Sequence, residues 1–254
     1  MNAQAARRTL GLLDLTSLND ADAPPAIDAL CARAVTPHGA VAAVCIWPRF
    51  VAQARGRLRG GPVRIATVVN FPGGEESIDK VTAAIAAARA DGADEIDIVL
   101  PYRRYLANDT AAAGAMLDAA RAACGDGVPL KVILESGAFP DQLTLGAASR
   151  FAILHGADYI KTSTGKIAAG ATLAAARTML EAIAGQRRRV GFKASGGIRS
   201  VSQAADYLAL ADEIMGPGWA APETFRFGAS GLLDDVLATL GGGPAGAPST
   251  KSLY

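Results

Sequence analysis

"GADYIKTSTGK" (156–166) sets a glycine, a short turn, a strand and a polar loop in a row. Gly156 suits the left-handed residue that follows a helix C-terminus. Tyr159, Ile160 and Thr162 favour extended backbone. Lys161 sits within that strand, although buried lysines are rare because desolvating an ammonium group is costly. A second stretch, "GADEID" (92–97), repeats the glycine, the turn and the strand start. It places Asp97 at the offset that Lys161 holds in the first, five residues past the glycine.

Working outward, short β-branched runs alternate with helical patterns. The strand candidates are 12–16, 41–46, 63–70, 94–100, 130–135, 158–162, 189–194 and 225–229. Helical patterns follow at roughly 24–35, 48–59, 77–91, 104–124, 140–156, 172–184, 200–211 and 230–240. In the third of these, Ser77 is placed as the N-cap, and Ile78, Val81, Ile85 and Ala88 form the stripe facing the sheet. Gly92 ends that helix. Strict βα alternation implies parallel strands. Eight units predict an α/β fold, a (β/α)8 TIM barrel over 1–240 with a flexible C-terminal tail over 241–254. An open doubly wound sheet is the alternative, but no GxGxxG follows the early strands. In a barrel, alternate strands supply one interior layer. Asp97 and Lys161, on the fourth and sixth strands, should therefore face each other across the mouth.

Composition narrows the function. The 254 residues carry a formal net charge of +1, which argues against nucleic acid or anionic membrane as a partner. The three cysteines lack CxxC spacing, and "MNAQAARRTL" lacks the apolar run of a signal peptide, so a reducing cytoplasmic setting is expected. Two distant histidines do not make a zinc site.

Alternation along the strands gathers polar groups at one end. Lys161 shares its face with Tyr159, Lys193 with Gly191 and Ser195, and Asp97 with Glu95 and Val99. Asp14 and Thr16, Cys45, and Glu135 join from the first, second and fifth strands. An ion-pair network that only holds the barrel would explain single pairs, yet it explains two lysines on neighbouring strands poorly. Two ammonium groups at roughly 4 Å interact by about 4 kcal/mol at an effective dielectric of about 20, enough to lower one pKa by on the order of 3 units. A lysine depressed in this way is partly a neutral amine, able to attack a carbonyl and form a Schiff base, with Asp97 relaying protons.

"STGK" is not a nucleotide loop, because Ile160 and Ile167 occupy positions where that motif needs glycine and a hydroxyl residue. "SGGIRS" (195–200) and "GASG" (228–231) are better anion sites, since barrels often bind phosphate after the seventh and eighth strands. Ordinary glycine-rich turns are the alternative reading of both.

With these residues assembled, the sequence resembles the deoxyribose-phosphate aldolase family of class I, Schiff-base aldolases. The resemblance rests on "LLDLTSLND" (12–20), "CIWPRF" (45–50), "TVVNFPGG" (67–74), "GADEIDIVLPY" (92–102), "DYIKTSTGK" (158–166), "GFKASGGIR" (191–199) and "RFGAS" (226–230). It implies reversible cleavage of 2-deoxy-D-ribose 5-phosphate to D-glyceraldehyde 3-phosphate and acetaldehyde, with no metal or cofactor beyond a covalent Schiff base on Lys161. It implies that Lys193 perturbs that lysine and that Asp97 relays protons. Asp14, Cys45 and Thr162 are expected around the substrate, and Gly165, Lys166, Gly196, Gly197, Arg199, Gly228 and Ser230 around its phosphate. Some relatives carry two serines in the last loop; Gly231 takes the second place here, which removes one hydroxyl. Some relatives end in a tyrosine that assists proton transfer, and Tyr254 matches that pattern, with a disordered tail as the other reading. The expected partners are phosphosugar and aldehyde substrates and a second copy in a homodimer. A transaldolase, a phosphosugar isomerase or a catalytically silent regulator are the competing functions.

Overall fold

The computed structural model describes residues 2–241. The 242–254 segment, with the Tyr254 reading, lies outside the described residues. Eight parallel strands close into a barrel: β1 (Leu13–Ser17), β2 (Ala43–Ile46), β3 (Arg64–Val69), β4 (Glu95–Val99), β5 (Leu130–Ile133), β6 (Tyr159–Lys161), β7 (Gly191–Ser195) and β8 (Phe225–Ala229). Each pairs with its chain neighbours, and β8 closes on β1 through Leu13 opposite Phe227. All eight sit on the eight predicted runs.

The helices are α1 (Asn2–Gly11), α2 (Pro24–Arg33), α3 (Val51–Leu58), α4 (Ile78–Ala90), α5 (Tyr102–Leu106), α6 (Thr110–Cys124), α7 (Gln142–Leu154), α8 (Leu173–Ala184), α9 (Val201–Met215) and α10 (Leu232–Leu240). Ser77 does cap α4, accepting from the Lys80 N–H. The apolar stripe starts one turn later than expected: Val81, Ile85 and Ala88 are buried, whereas Ile78 is among the exposed apolar residues. The predicted single helix over 104–124 is two. Asn108 turns left-handed, and the Asp109 carboxylate caps the new start at Ala112, so the pattern is interrupted by local side-chain chemistry. Helix α1 was not anticipated. It buries Ala6, Thr9 and Leu10 and is tied by Arg8 to Asp212 of α9 at 2.8 Å. A two-stranded ribbon (Val35–Thr36 with Gly39–Ala40) was also missed.

Two apolar regions result. The larger lies between strands and helices, with Phe192, Phe225, Phe227, Ile96, Ile98 and Ile160 pointing outward into it. The smaller lies inside the mouth: Leu18, Cys45, Ala66 and Val68, flanked by Trp47 and Phe71. Seven further interior side chains, Asp14, Glu95, Asp97, Lys131, Lys161, Lys193 and Arg226, are charged, which is unusual for a barrel core normally filled by branched apolar residues.

The repeated "GAD" has a structural account. Gly92 and Gly156 both adopt positive φ (99° and 87°) at the helix stop. Asp94 accepts from the Ile65 N–H and Asp158 from the Leu130 N–H, each at 2.8 Å, so each carboxylate pins the start of the preceding strand. Arg55 and Arg121 pair with these aspartates at 2.6 Å and lie across the two glycines, where a Cβ would meet them at about 3 Å or less.

Candidate active site

The β6 lysine is where the sequence argument placed it. Lys161 is 3% exposed, and its Nζ donates to Asp97 Oδ2 at 3.0 Å. Lys193, its register partner on β7, donates to the same oxygen at 2.8 Å and meets Asp14 Oδ2 at 2.6 Å. Four of the expected residues, Asp14, Asp97, Lys161 and Lys193, thus converge inside the barrel.

The two lysines are equally buried and titrate in opposite directions. For Lys161, burial pushes the pKa below the usual lysine value, the charge of Lys193 pushes it further, and Asp97 only partly opposes them. Burial is the leading cause, a correction to the expectation that repulsion by Lys193 does most of the work. For Lys193, burial also disfavours the charge, but Asp14 and Asp97 outweigh it and hold the pKa well above normal. Burial likewise disfavours the charge on Asp97, yet Lys131, Lys193 and Lys161 together hold it well below the usual carboxylate range. The Cys45 thiol, fully buried, is pushed up by burial and stays protonated at neutral pH.

Two groups to which the sequence reading gave no role belong to this network. Lys131 of β5 reaches Asp97 Oδ1 at 2.8 Å and Glu95 at 2.6 Å. Arg226 of β8 reaches Asp14 Oδ1 at 2.6 Å and Glu95 Oε1 at 2.8 Å. The signal for both was present in strand alternation: Lys131 has the parity of Glu135, and Arg226 the opposite parity to Phe225 and Phe227. Cations separate the three carboxylates, and among the described residues no group of His, Cys, Asp or Glu is arranged to hold a metal ion.

The polar loops are more dispersed. Gly165, Gly196 and Gly197 line one cleft of about 370 Å³ with Thr172 and Gln203. Gly196 and Gly197 adopt φ of 97° and 86°, and the Gly196 backbone lies against Gly170, where a Cβ on Gly170 would meet the Gly196 carbonyl at 2.5 Å. The other expected phosphate residues are not among the lining of this cleft. Arg199 is exposed, and its N–H is held by Gln203 Oε1 at 2.8 Å. Lys166 crosses to the β1–α2 loop, donating to the Leu18 carbonyl at 2.7 Å beside the Trp47 ring. Ser230 is half-buried before α10.

Two expected binding residues also form part of the barrel wall. The Thr162 hydroxyl donates to the Ser195 carbonyl at 3.0 Å and accepts from its N–H at 2.9 Å, stitching β6 to β7. Gly228 lies within β8, where a Cβ would meet Ser195 Oγ at 2.2 Å and Lys193 Cε at 3.0 Å. Its lack of a side chain makes room for Lys193. Glu135, left-handed at φ 59°, holds the "TSTG" turn through the Thr164 hydroxyl and N–H.

Comparison with known proteins matches residues 9–234 to the family model described as DeoC/LacD family aldolase. The chain is 55% identical over 248 residues to a deoxyribose-phosphate aldolase of Agrobacterium fabrum, covering 97% of this chain and 96% of the relative. A solved structure named as a candidate deoxyribose-phosphate aldolase, from Coccidioides immitis, is 29% identical with a TM-score of 0.82, covering 92% of this chain and 86% of the other. A deoxyribose phosphate aldolase from Aeropyrum pernix, described as a unique tetramer, shares the fold at a TM-score of 0.75 and 22% identity, covering 93% and 96% of the two chains.

Proposed function

The chain belongs to the DeoC/LacD family of aldolases, and from that premise we propose that it is a class I aldolase for 2-deoxy-D-ribose 5-phosphate. It reversibly cleaves that sugar to D-glyceraldehyde 3-phosphate and acetaldehyde, a step in deoxyribonucleotide breakdown. Residues 1–240 form the catalytic domain, and Lys161 is the Schiff-base lysine. One observation carries this: a buried amine whose pKa is driven down, hydrogen-bonded to a carboxylate that stays ionised.

In the cleavage direction the neutral Lys161 Nζ adds its lone pair to the sugar aldehyde carbon. Loss of water gives a protonated imine. The C2–C3 bond then breaks, its electron pair moves into the imine to give an enamine, and the C3 hydroxyl proton leaves as the new carbonyl forms. Protonation at C2 and hydrolysis release acetaldehyde and restore the amine. Asp97 is too acidic to keep a proton at neutral pH, so its part is to hold Lys161 in place and pass protons through water. Lys193, fixed as a cation by Asp14 and Asp97, maintains the positive potential against which Lys161 ionises. The small apolar wall of Leu18, Cys45, Ala66 and Val68 suits the methyl end of acetaldehyde. The Gly196–Gly197 turn, with backbone N–H groups ahead of α9, supports binding of the phosphate.

Turnover of 2-deoxyribose 5-phosphate, read as glyceraldehyde 3-phosphate formed, tests the activity. Borohydride in the presence of acetaldehyde is expected to leave an ethyl adduct on Lys161 and none in Lys161→Arg. An adduct mapped to another lysine would remove the assigned nucleophile.

A further inference from the structure

Six charged side chains inside the barrel form a closed ring. Glu95 meets Lys131, Lys131 meets Asp97, Asp97 meets Lys193, Lys193 meets Asp14, Asp14 meets Arg226, and Arg226 returns to Glu95, all at 2.6–2.8 Å. Every side chain in it is at most 3% exposed. Three acids alternate with three bases, so the ring is neutral when all six are ionised. Lys161 is the seventh charge. It hangs from Asp97 alone, outside the alternation.

Glu95 lies one pleat deeper than Asp97 on β4, and Arg226 one pleat deeper than Gly228 on β8. We propose that Glu95, Lys131 and Arg226 are positioning residues: they close the ring on the side away from the mouth and so fix the net charge against which Lys161 takes up or loses its proton. A neutral ring leaves Lys161 as a buried charge without a counterion of its own, and a low-dielectric interior disfavours such a charge. The titratable and charged groups on every strand around Lys161 enter this balance. They are Asp14 on β1, Cys45 on β2, Glu95 and Asp97 on β4, Lys131 and Glu135 at β5 and its end, Tyr159 on its own strand, Lys193 on β7 and Arg226 on β8; β3 presents Ala66, Val68 and, at its solvent-exposed start, Arg64, which lies 3.7 Å from Glu95 Oε1 and is screened by water.

The inference rests on Lys161 being the nucleophile only for its effect on the rate. Its physical content is read from the ionisation of Lys161, followed by NMR titration of protein labelled at lysine Cε, with the signal assigned by its loss in Lys161→Arg. Lys131→Met makes the ring net negative and is expected to raise the Lys161 midpoint by on the order of one pH unit. Glu95→Gln keeps the shape, makes the ring net positive and is expected to lower it by a similar amount. The double variant is expected to return to the wild-type midpoint. The pH at which borohydride trapping reaches half its plateau should move the same way. General loosening of the core would instead shift both single variants in one direction. Shifts of the same sign, or none, overturn the proposal. If Lys131→Met does not fold, Glu95→Gln decides alone: a lower midpoint supports the ring, and an unchanged or higher one sinks it. A trapped adduct on another residue would refute the nucleophile assignment while leaving the NMR result to judge the ring.

Discussion

Lys161 and Lys193 are the same residue type on adjacent strands, both buried, and they differ in their count of acids. Lys193 has two carboxylates within 2.8 Å, while Lys161 has one at 3.0 Å that it shares. That difference separates a lysine held as a cation from one whose proton is more easily lost. Lys193→Met is expected to lower turnover at pH 7 by on the order of 100-fold and to move the rate profile to higher pH. Without the second ammonium, Asp97 stabilises the charged form of Lys161, and about two pH units are needed to recover the neutral amine. A pH–rate profile of kcat/KM checks this, and an unshifted profile would count against it. Asp97 and Lys161 were legible because a shared offset from a helix-stop glycine put them on one layer, and Lys193 because strand parity turned it inward. Lys131 and Arg226 obeyed the same parity, but each sat alone in an otherwise apolar run with no matching offset to flag it. Depth was not legible at all, and so burial, the leading cause of the Lys161 shift, could not be ranked from residue order.

At the level of elements, the second "GAD" turn owes its repeat to a bracket of arginine, aspartate and a strand N–H. Asp158→Ala leaves the buried Leu130 N–H without its side-chain acceptor and Arg121 with its two backbone acceptors but no carboxylate. A loss of about 1–3 kcal/mol is expected, measured by urea denaturation. Gly228→Ala drives a Cβ into Ser195 and Lys193 and is expected to cost about 1–3 kcal/mol and to displace the lysine, lowering activity more than stability alone accounts for. Equal activity per folded molecule would show that Gly228 serves only packing. Caps and strand runs were readable because they depend on local chemistry. The break at Asn108 and the helix before β1 were not, since the first needs a single left-handed residue and the second is held by contacts with α9 that span most of the chain.

For the whole molecule, a charged interior couples stability to pH in two directions. Asp14, Glu95 and Asp97 have folded pKa values below their unfolded ones. The stability they supply is complete above roughly pH 4 and is lost as the pH falls through the folded values. Lys131 and Lys193 are raised, so their contribution is lost as the pH climbs past about 10.4 toward their folded values. Lys161 works the other way: its folded pKa is lowered, the unfolded chain binds the extra proton, and stability gained from this group rises with pH up to about 10.4. Urea midpoints across pH should therefore fall steeply in acid. Lys161→Met is expected to be at least as stable as the parent at pH 7, whereas Lys131→Met loses about 3 kcal/mol by exposing two acids to an incomplete shell. A destabilised Lys161→Met would contradict the assignment of Lys161 as the costly charge. The barrel itself was readable from eight alternating units, because parallel strands need a crossover helix between each pair.

The tie between Lys166 and the Leu18 carbonyl has a consequence for protein engineering. Its acceptor is main chain, so no side-chain replacement at position 18 can delete it, and the tie can be cut by mutation only from the lysine end. A library at position 18 will recontour the small apolar wall while the link between the loops after β6 and β1 keeps its anchor. A library at position 166 will do the reverse, leaving the wall intact and releasing the link. The contour of the apolar wall and the attachment between the two loops are thus two dials on separate residues, and they can be screened independently before being combined.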